Sequence, residues 1–191
     1  MSRFLLLLGP SGVGKSVIID ELLKLDNRFV YVSPYMTRVL RAGEKNKVAV
    51  NNDQMDEMWR RGELLVVNNL YGGIRYGTPR LPIAEALAAG KFPILDWPID
   101  RLEVMTQAFP GQLFVVYVSP ASVDVLYQRL SKDERDASGT RLASAEQELQ
   151  RYWSSEYAGL YDFEVVSEDN KIFEIATEIY TKYLESIKET T

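Results

Sequence analysis

An α/β fold, a parallel sheet flanked by helices, is what this sequence predicts, and three observations carry the expectation. Short apolar runs recur along the chain, they are continuous rather than alternating, and stretches of helical spacing separate them. Continuous runs rich in Val and Phe suit strands buried on both faces of a parallel sheet. Strand and helix in alternation then imply right-handed crossovers. The 191 residues suffice for one domain with a sizeable core and room for an inserted lobe.

The strand candidates, in order, are Phe4 to Leu8, Phe29 to Val32, Phe92 to Leu95, Leu113 to Val118 and Phe163 to Val166. Val13 to Leu25 carries Ile18, Leu22 and Leu25 at helical spacing, and Ser122 to Leu130 presents Val123, Leu126 and Leu130. Thr140 to Tyr157 reads as a long charged helix. In Lys171 to Ile187 the stripe Ile172, Ile175, Ile179 and Tyr183 marks the clearest helix of all. The segment Ser33 to Pro79 breaks the rhythm. It holds a basic loop, a short run Lys47 to Val50, a helix beginning near Asp53, then Leu64 to Val67 and Tyr71 to Tyr76 with turn glycines Gly72 and Gly73. This divides the chain into a core (1–33 and 80–191), an inserted lobe (about 34–79) and a polar, lid-like stretch (about 131–140).

Composition narrows the chemistry. The chain has no cysteine and no histidine, which excludes disulfides, thiol nucleophiles, imidazole bases and almost every zinc site. Lys plus Arg number 22 against 27 Asp plus Glu, a net charge of −5, so neither nucleic acid nor a membrane surface is an expected partner. Small anions are compatible with that balance, because a pocket can be basic on an acidic molecule. The run Phe4 to Leu8 is too short to span a bilayer, and with Arg3 before it and Gly9-Pro10 after it, it makes a poor signal peptide. A cytoplasmic protein, monomeric or homodimeric, is the expectation.

Gly9-Pro10-Ser11-Gly12-Val13-Gly14-Lys15-Ser16 matches G-x-x-x-x-G-K-[ST] at every position, after an apolar strand and at the start of an amphipathic helix. This is the P-loop pattern. Glycines let successive backbone N–H groups of Gly9, Ser11, Gly12, Val13 and Gly14 turn toward phosphate oxygens, and the helix N-terminus adds its dipole. Lys15 supplies a full positive charge to the β and γ phosphates of ATP, and Ser16 offers a hydroxyl to Mg²⁺. A strand ending in Asp96 points to the same crevice, which lies beyond the carboxyl ends of the strands. Asp96 is therefore a candidate for organising the metal, or equally a turn residue. Arg38, Arg41, Arg129, Arg135 and Arg141 sit near loops, where arginine forks can meet the oxygens of a transferring phosphoryl group. A solvated helix face accounts for Arg60, Arg61 and Arg151.

These features, with Thr37-Arg38, Arg41-Ala42-Gly43-Glu44, Tyr76-Gly77-Thr78, Ile94-Leu95-Asp96, Gln128-Arg129-Leu130 and Arg141-Leu142 leading to Ala145-Glu146-Gln147-Glu148-Leu149, occur in the order found in guanylate kinases. The chain resembles that family over nearly its whole length. The resemblance implies a P-loop core, a lid and a nucleotide-monophosphate lobe, and transfer of the ATP γ-phosphoryl to GMP with Mg²⁺. It implies that Arg38, Arg41 and Tyr76 bind the acceptor phosphate, with Glu44 in the same lobe, and that Thr78 lies near the guanine. Arg129 and Arg141 would meet the donor phosphates, and Ser167 to Asn170 would lie near the adenine.

Departures cluster on the acceptor side. Pro34 stands where the family has Ser, Val50 where it has a phosphate-binding Tyr, Val66 where a glutamate reads guanine, and Pro98 at the second Asp of an Asp-x-Asp. The lid is shorter, and its second arginine falls near Asp133. Guanine presents N1–H and N2–H₂ as donors, and valine accepts from neither, so base selectivity below the family norm is expected. Two further readings stay open at this point. Ribose 1,5-bisphosphate phosphokinases share the P-loop and a Tyr-x-Thr-Arg run like Tyr35-Met36-Thr37-Arg38. Guanylate-kinase-like binding modules have given up catalysis, though they typically carry a degraded P-loop.

Overall fold

The fold is given by a computed structural model, which describes residues 3–40, 47–69, 73–132 and 139–188. Its centre is a five-stranded sheet built from β1 (Phe4–Leu8), β2 (Phe29–Tyr31), β7 (Phe92–Asp96), β8 (Leu113–Pro120) and β9 (Phe163–Ser167). The order is β2-β7-β1-β8-β9 and every pairing is parallel. The continuous apolarity of β1 has its reason here. Phe4, Leu6 and Leu8 join the core on one face, Leu5 and Leu7 the core on the other, and all five are fully buried.

Helices α1 (Lys15–Leu25) and α7 (Ile172–Lys188) cover one face. The stripe of α7 is buried at Ile175, Ile179 and Tyr183, where the Tyr183 ring meets Phe92 edge-on at 5.1 Å and lies 5.6 Å from Phe29. The other face receives α3 (Leu81–Ala88) and α4 (Leu102–Ala108). Helices α5 (Val123–Ser131) and α6 (Thr140–Trp153) form a satellite core through Leu126, Leu130, Ala145 and Leu149.

Between β2 and α3 the chain makes a second sheet of β3 (Tyr35–Met36), β4 (Val48–Ala49), β5 (Leu64–Asn69) and β6 (Arg75–Pro79), in the order β4-β3-β6-β5. Helix α2 (Asn52–Arg60) opens with a capping box in which Asn51 and Gln54 satisfy each other's backbone N–H groups. Beneath it Gly77 admits Met55, since an added Cβ would lie 2.5 Å from its sulfur.

Three local expectations shift. Of the run expected at Tyr71 to Tyr76, Tyr71 and Gly72 lie outside the described residues, and the strand is Arg75–Pro79, whose extent pairing with β5 decides. The long helix ends at Trp153, with Ser155 in a positive-φ turn. Helices α3 and α4 are additions that the apolar pattern does not mark.

Candidate active site

The carboxyl ends of β1, β7, β8 and β9 converge on one edge of the central sheet, and the P-loop emerges there from β1. Gly9 makes the first turn at φ 129°, pressed so closely on β8 that a Cβ would lie 2.2 Å from the carbonyl oxygen of Val118. Gly14, at φ 109°, precedes the first residue of α1. A Cβ on Gly14 would stand 3.0 Å from the Ser167 hydroxyl. That hydroxyl is fully buried and has no hydrogen-bond partner among the described residues.

Lys15 Nζ donates to the carbonyls of Gly9 and, at 3.1 Å, Pro10. Burial pushes its pKa down, while Glu148 and Asp96 act in the opposite sense. Ser16 is exposed on the first turn of α1, and Val13 is fully buried, anchoring the loop.

Both candidate donor-side arginines reach this loop. Arg129, on α5, donates to the carbonyl oxygens of Val13 (2.9 Å) and Gly12 (3.4 Å) and pairs with Asp169 at 2.7 Å. Arg141, at the start of α6, donates through Nε (3.1 Å) and Nη2 (2.6 Å) to Ser11 Oγ. Seven residues on, the same helix places Glu148 near Tyr117 of β8, whose hydroxyl lies 3.5 Å from Oε1. Burial raises the Glu148 pKa and the Lys15 charge opposes it. Tyr117 stacks on Tyr152 at 4.8 Å and 10°, fastening α6 to the sheet.

Asp96 terminates β7 beside Leu7 of β1. Its Oδ1 accepts a 2.7 Å bond from the Tyr31 hydroxyl, and Lys47 Nζ donates to the same phenol oxygen. Burial, reinforced by Asp96, raises the Tyr31 pKa, so that hydroxyl stays protonated.

On the lobe sheet, the β3–β6 ladder sets Arg38 beside Tyr76, with Nε 3.4 Å from the hydroxyl. Thr78 is buried and directly opposite Val66 in the antiparallel ladder, so the two side chains share a face. Val66 belongs to the core cluster that includes Val32 and Trp97. Pro34 is half-buried, Val50 is half-buried with its N–H bonded to the Met36 carbonyl, and Pro98 is exposed. Arg41, Glu44 and Arg135 lie outside the described residues.

The structure thus gathers Lys15, Ser11, Arg129, Arg141 and Asp96 around the P-loop, and Arg38, Tyr76 and Thr78 on the lobe. Sequence reasoning misses Glu148, Tyr31 and Lys47 as site residues. The spacing of Arg141 and Glu148 on one helix is a usable signal for the first; Tyr31 and Lys47 carry no local mark.

Fold and loop together define a P-loop phosphotransferase of the nucleoside monophosphate kinase class. The family model "Guanylate kinase" matches residues 1–186. The chain is 34% identical over 172 residues to a guanylate kinase of Synechocystis sp., covering 87% of this chain and 86% of that one. It is 31% identical over 171 residues to a guanylate kinase of Desulfitobacterium hafniense, covering 86% and 82%. A crystal structure of guanylate kinase from Anaplasma phagocytophilum superposes with a TM-score of 0.73 at 21% identity, covering 96% of this chain and 85% of that one. The chain belongs to the guanylate kinase family.

Proposed function

We propose that this chain transfers the γ-phosphoryl group of ATP to GMP, giving ADP and GDP. The observation that carries this reading is the complete P-loop, with Lys15 set over its own carbonyls and Arg129 and Arg141 bonded onto it, in a chain whose inserted lobe places Arg38 against Tyr76. The turns at Gly9 and Gly14 form a cradle that a Cβ would fill, which fits a bound phosphate chain.

In this reading Lys15 leaves its carbonyl partners for the β and γ phosphates, and the loop N–H groups hold the same oxygens. Arg141 and Arg129 neutralise charge on the equatorial oxygens as the phosphoryl group passes between nucleotides. Arg38 and Tyr76, with Arg41 and Glu44 of the same lobe, hold the acceptor and its phosphate, and Thr78 faces the base. Mg²⁺, when bound through Ser16 and Asp96, offsets charge on the β and γ oxygens. Excluding water is the task of the lid, about residues 131–140, since water competes as acceptor.

A sugar phosphate acceptor is the second reading, and Val66 is the observation that favours it. It puts an aliphatic side chain on the face that Thr78 shares, where guanine would need an acceptor for its N1–H and N2–H₂. A coupled ADP-release assay with ATP, Mg²⁺ and GMP, dGMP, AMP, CMP, UMP or ribose 1,5-bisphosphate separates the two. GMP should be the preferred nucleotide, with a preference over AMP below about 10⁴-fold. Turnover confined to ribose 1,5-bisphosphate would move the assignment to the second reading. No turnover with any acceptor would leave a binding module.

A further inference from the structure

We infer that Tyr31 and Lys47 are positioning residues that fix the Asp96 carboxylate and make its orientation depend on the seating of the acceptor lobe. Three segments meet in this chain of contacts. Tyr31 closes β2, Asp96 closes the adjacent parallel strand β7, and Lys47 immediately precedes β4 of the lobe sheet. Tyr31 pairs in register with Ile94, two residues before Asp96, so both side chains project from the same face.

The direction of the bonds follows from donor and acceptor chemistry. An ammonium has three donors and no acceptor, so the Tyr31 oxygen must accept from Lys47. The hydroxyl has one proton, and with the lysine on its lone pair that proton is given to Asp96 Oδ1 at 2.7 Å. A cation on the phenol oxygen also polarises the O–H and strengthens its donation. The ammonium sits 4.5 Å from the Tyr31 ring centroid, a second attraction holding it in place. With Oδ1 engaged, the carboxylate cannot rotate about its terminal bond without breaking a charge-assisted hydrogen bond. Moving the lobe withdraws Lys47, weakens the Tyr31 donor and frees Asp96 to turn. Lobe position and metal-side geometry are thereby linked through three side chains.

The inference rests on the reading of Asp96 as a residue that organises Mg²⁺. Its test uses Tyr31→Phe, Lys47→Met, the double variant, and Asp96→Asn as reference. The readouts are kcat and KM for both substrates, and Mn²⁺ affinity of the protein–ATP complex by electron paramagnetic resonance. Groups that orient a metal-side carboxylate typically matter by about 10–100-fold in affinity or activity. Tyr31→Phe should therefore weaken Mn²⁺ binding and lower kcat by about tenfold, with a smaller change in the acceptor KM. Lys47→Met should move both in the same direction, less far, and the double variant should be no worse than Tyr31→Phe alone, because both act along one path. Additive losses, or a change confined to the acceptor KM, would overturn the inference, the latter making Lys47 a substrate contact. So would wild-type Mn²⁺ affinity in Tyr31→Phe and Lys47→Met when Asp96→Asn has lost it. If Asp96→Asn itself binds Mn²⁺ normally, the metal reading of Asp96 fails first. Should Tyr31→Phe fold poorly, Lys47→Met, altered at a half-buried lobe position, tests the same link through the same readouts.

Discussion

Replacing Gly9 with alanine tests whether the P-loop turn is held by contact with the neighbouring strand. The new Cβ would lie 2.2 Å from the Val118 carbonyl oxygen, against 3.2 Å and 3.4 Å to that residue's carbonyl carbon and nitrogen. The oxygen or the loop must give by about 1 Å, and overpacking of that kind costs about 1–3 kcal/mol. Val118 lies inside β8, paired with Val165 of β9, so the carbonyl cannot swing away alone. A left-handed backbone at φ 129° adds about 1–2 kcal/mol for an L-residue. The sum, about 2–5 kcal/mol, corresponds to a fall in Tm of about 4–20 °C for a chain of this size. A displacement of about 1 Å at the phosphate-binding turn should also lower ATP-dependent turnover by about 10²-fold. Gly90→Ala is the control, since Gly90 has φ 67° but no described residue within 4 Å of an added Cβ. It should lose only about 1 kcal/mol and no activity. Calorimetry and ADP release read both variants. Equal stability losses in the two, or near-normal turnover in Gly9→Ala, would refute the argument.

Two further outcomes follow from charge. Lys15→Met should cut phosphoryl transfer by about 10²–10³-fold, the usual loss of an electrostatic donor to a transition state, while its thermal stability holds or rises. Burial depresses the Lys15 pKa, so between its folded value and 10.5 the unfolded chain binds more protons and stability rises with pH. The variant should lose that rise, and a lower Tm at pH 7 would contradict the account. Asp26 accepts from Arg28 Nε and Nη2, from the Arg28 backbone N–H and from the Tyr180 hydroxyl, bonds that hold its carboxyl well below the usual carboxylate range. Its contribution is present above the ordinary value of 3.8 and is lost as pH falls through and below it. Urea denaturation of Asp26→Asn between pH 6 and about 2 should show a flatter acid limb than the parent, and parallel curves would count against it.

What the sequence disclosed, and what it withheld, divides by the range of the interactions. The P-loop is legible because eight contiguous residues carry both its shape and its charge, and β1 because five consecutive apolar residues need two covered faces. The stripe of α7 is legible for the same local reason. Strand β6 is not, because Arg75–Pro79 contains a glycine and a proline and becomes a strand only by pairing with β5 and β3. Helix α3 starts with Leu81-Pro82 and is short, and α4 grows out of a 3₁₀ turn at Ile99–Arg101, so neither offers a full apolar period. At the site, the partners of Asp96 and the approach of Glu148 to Lys15 join residues far apart in the chain. The spacing of Arg141 and Glu148 marks a shared helix face but not what that face meets; the sheet order β2-β7-β1-β8 brings Tyr31, Asp96 and the P-loop together, and the approach of α6 to Tyr117 of β8 adds Glu148.

The two halves of the site have been held by different constraints. On the donor side, backbone groups and charges act on phosphates, which every nucleoside triphosphate presents alike; Gly9 cannot change without striking Val118. On the proposed acceptor side, base selectivity would depend on which side chains share a face with Thr78. Val66 pairs with Thr78 across the ladder and belongs to the buried cluster that includes Val32 and Trp97. A carboxylate in its place would sit on that same face and would need a donor such as guanine N1–H to offset its desolvation. Valine needs none, so the junction packs as core whether or not a base is present. Lobe and core are joined at this junction by the Lys47–Tyr31 and Tyr31–Asp96 hydrogen bonds, and Val66 belongs to the same buried apolar cluster as Val32 and Trp97 of the core.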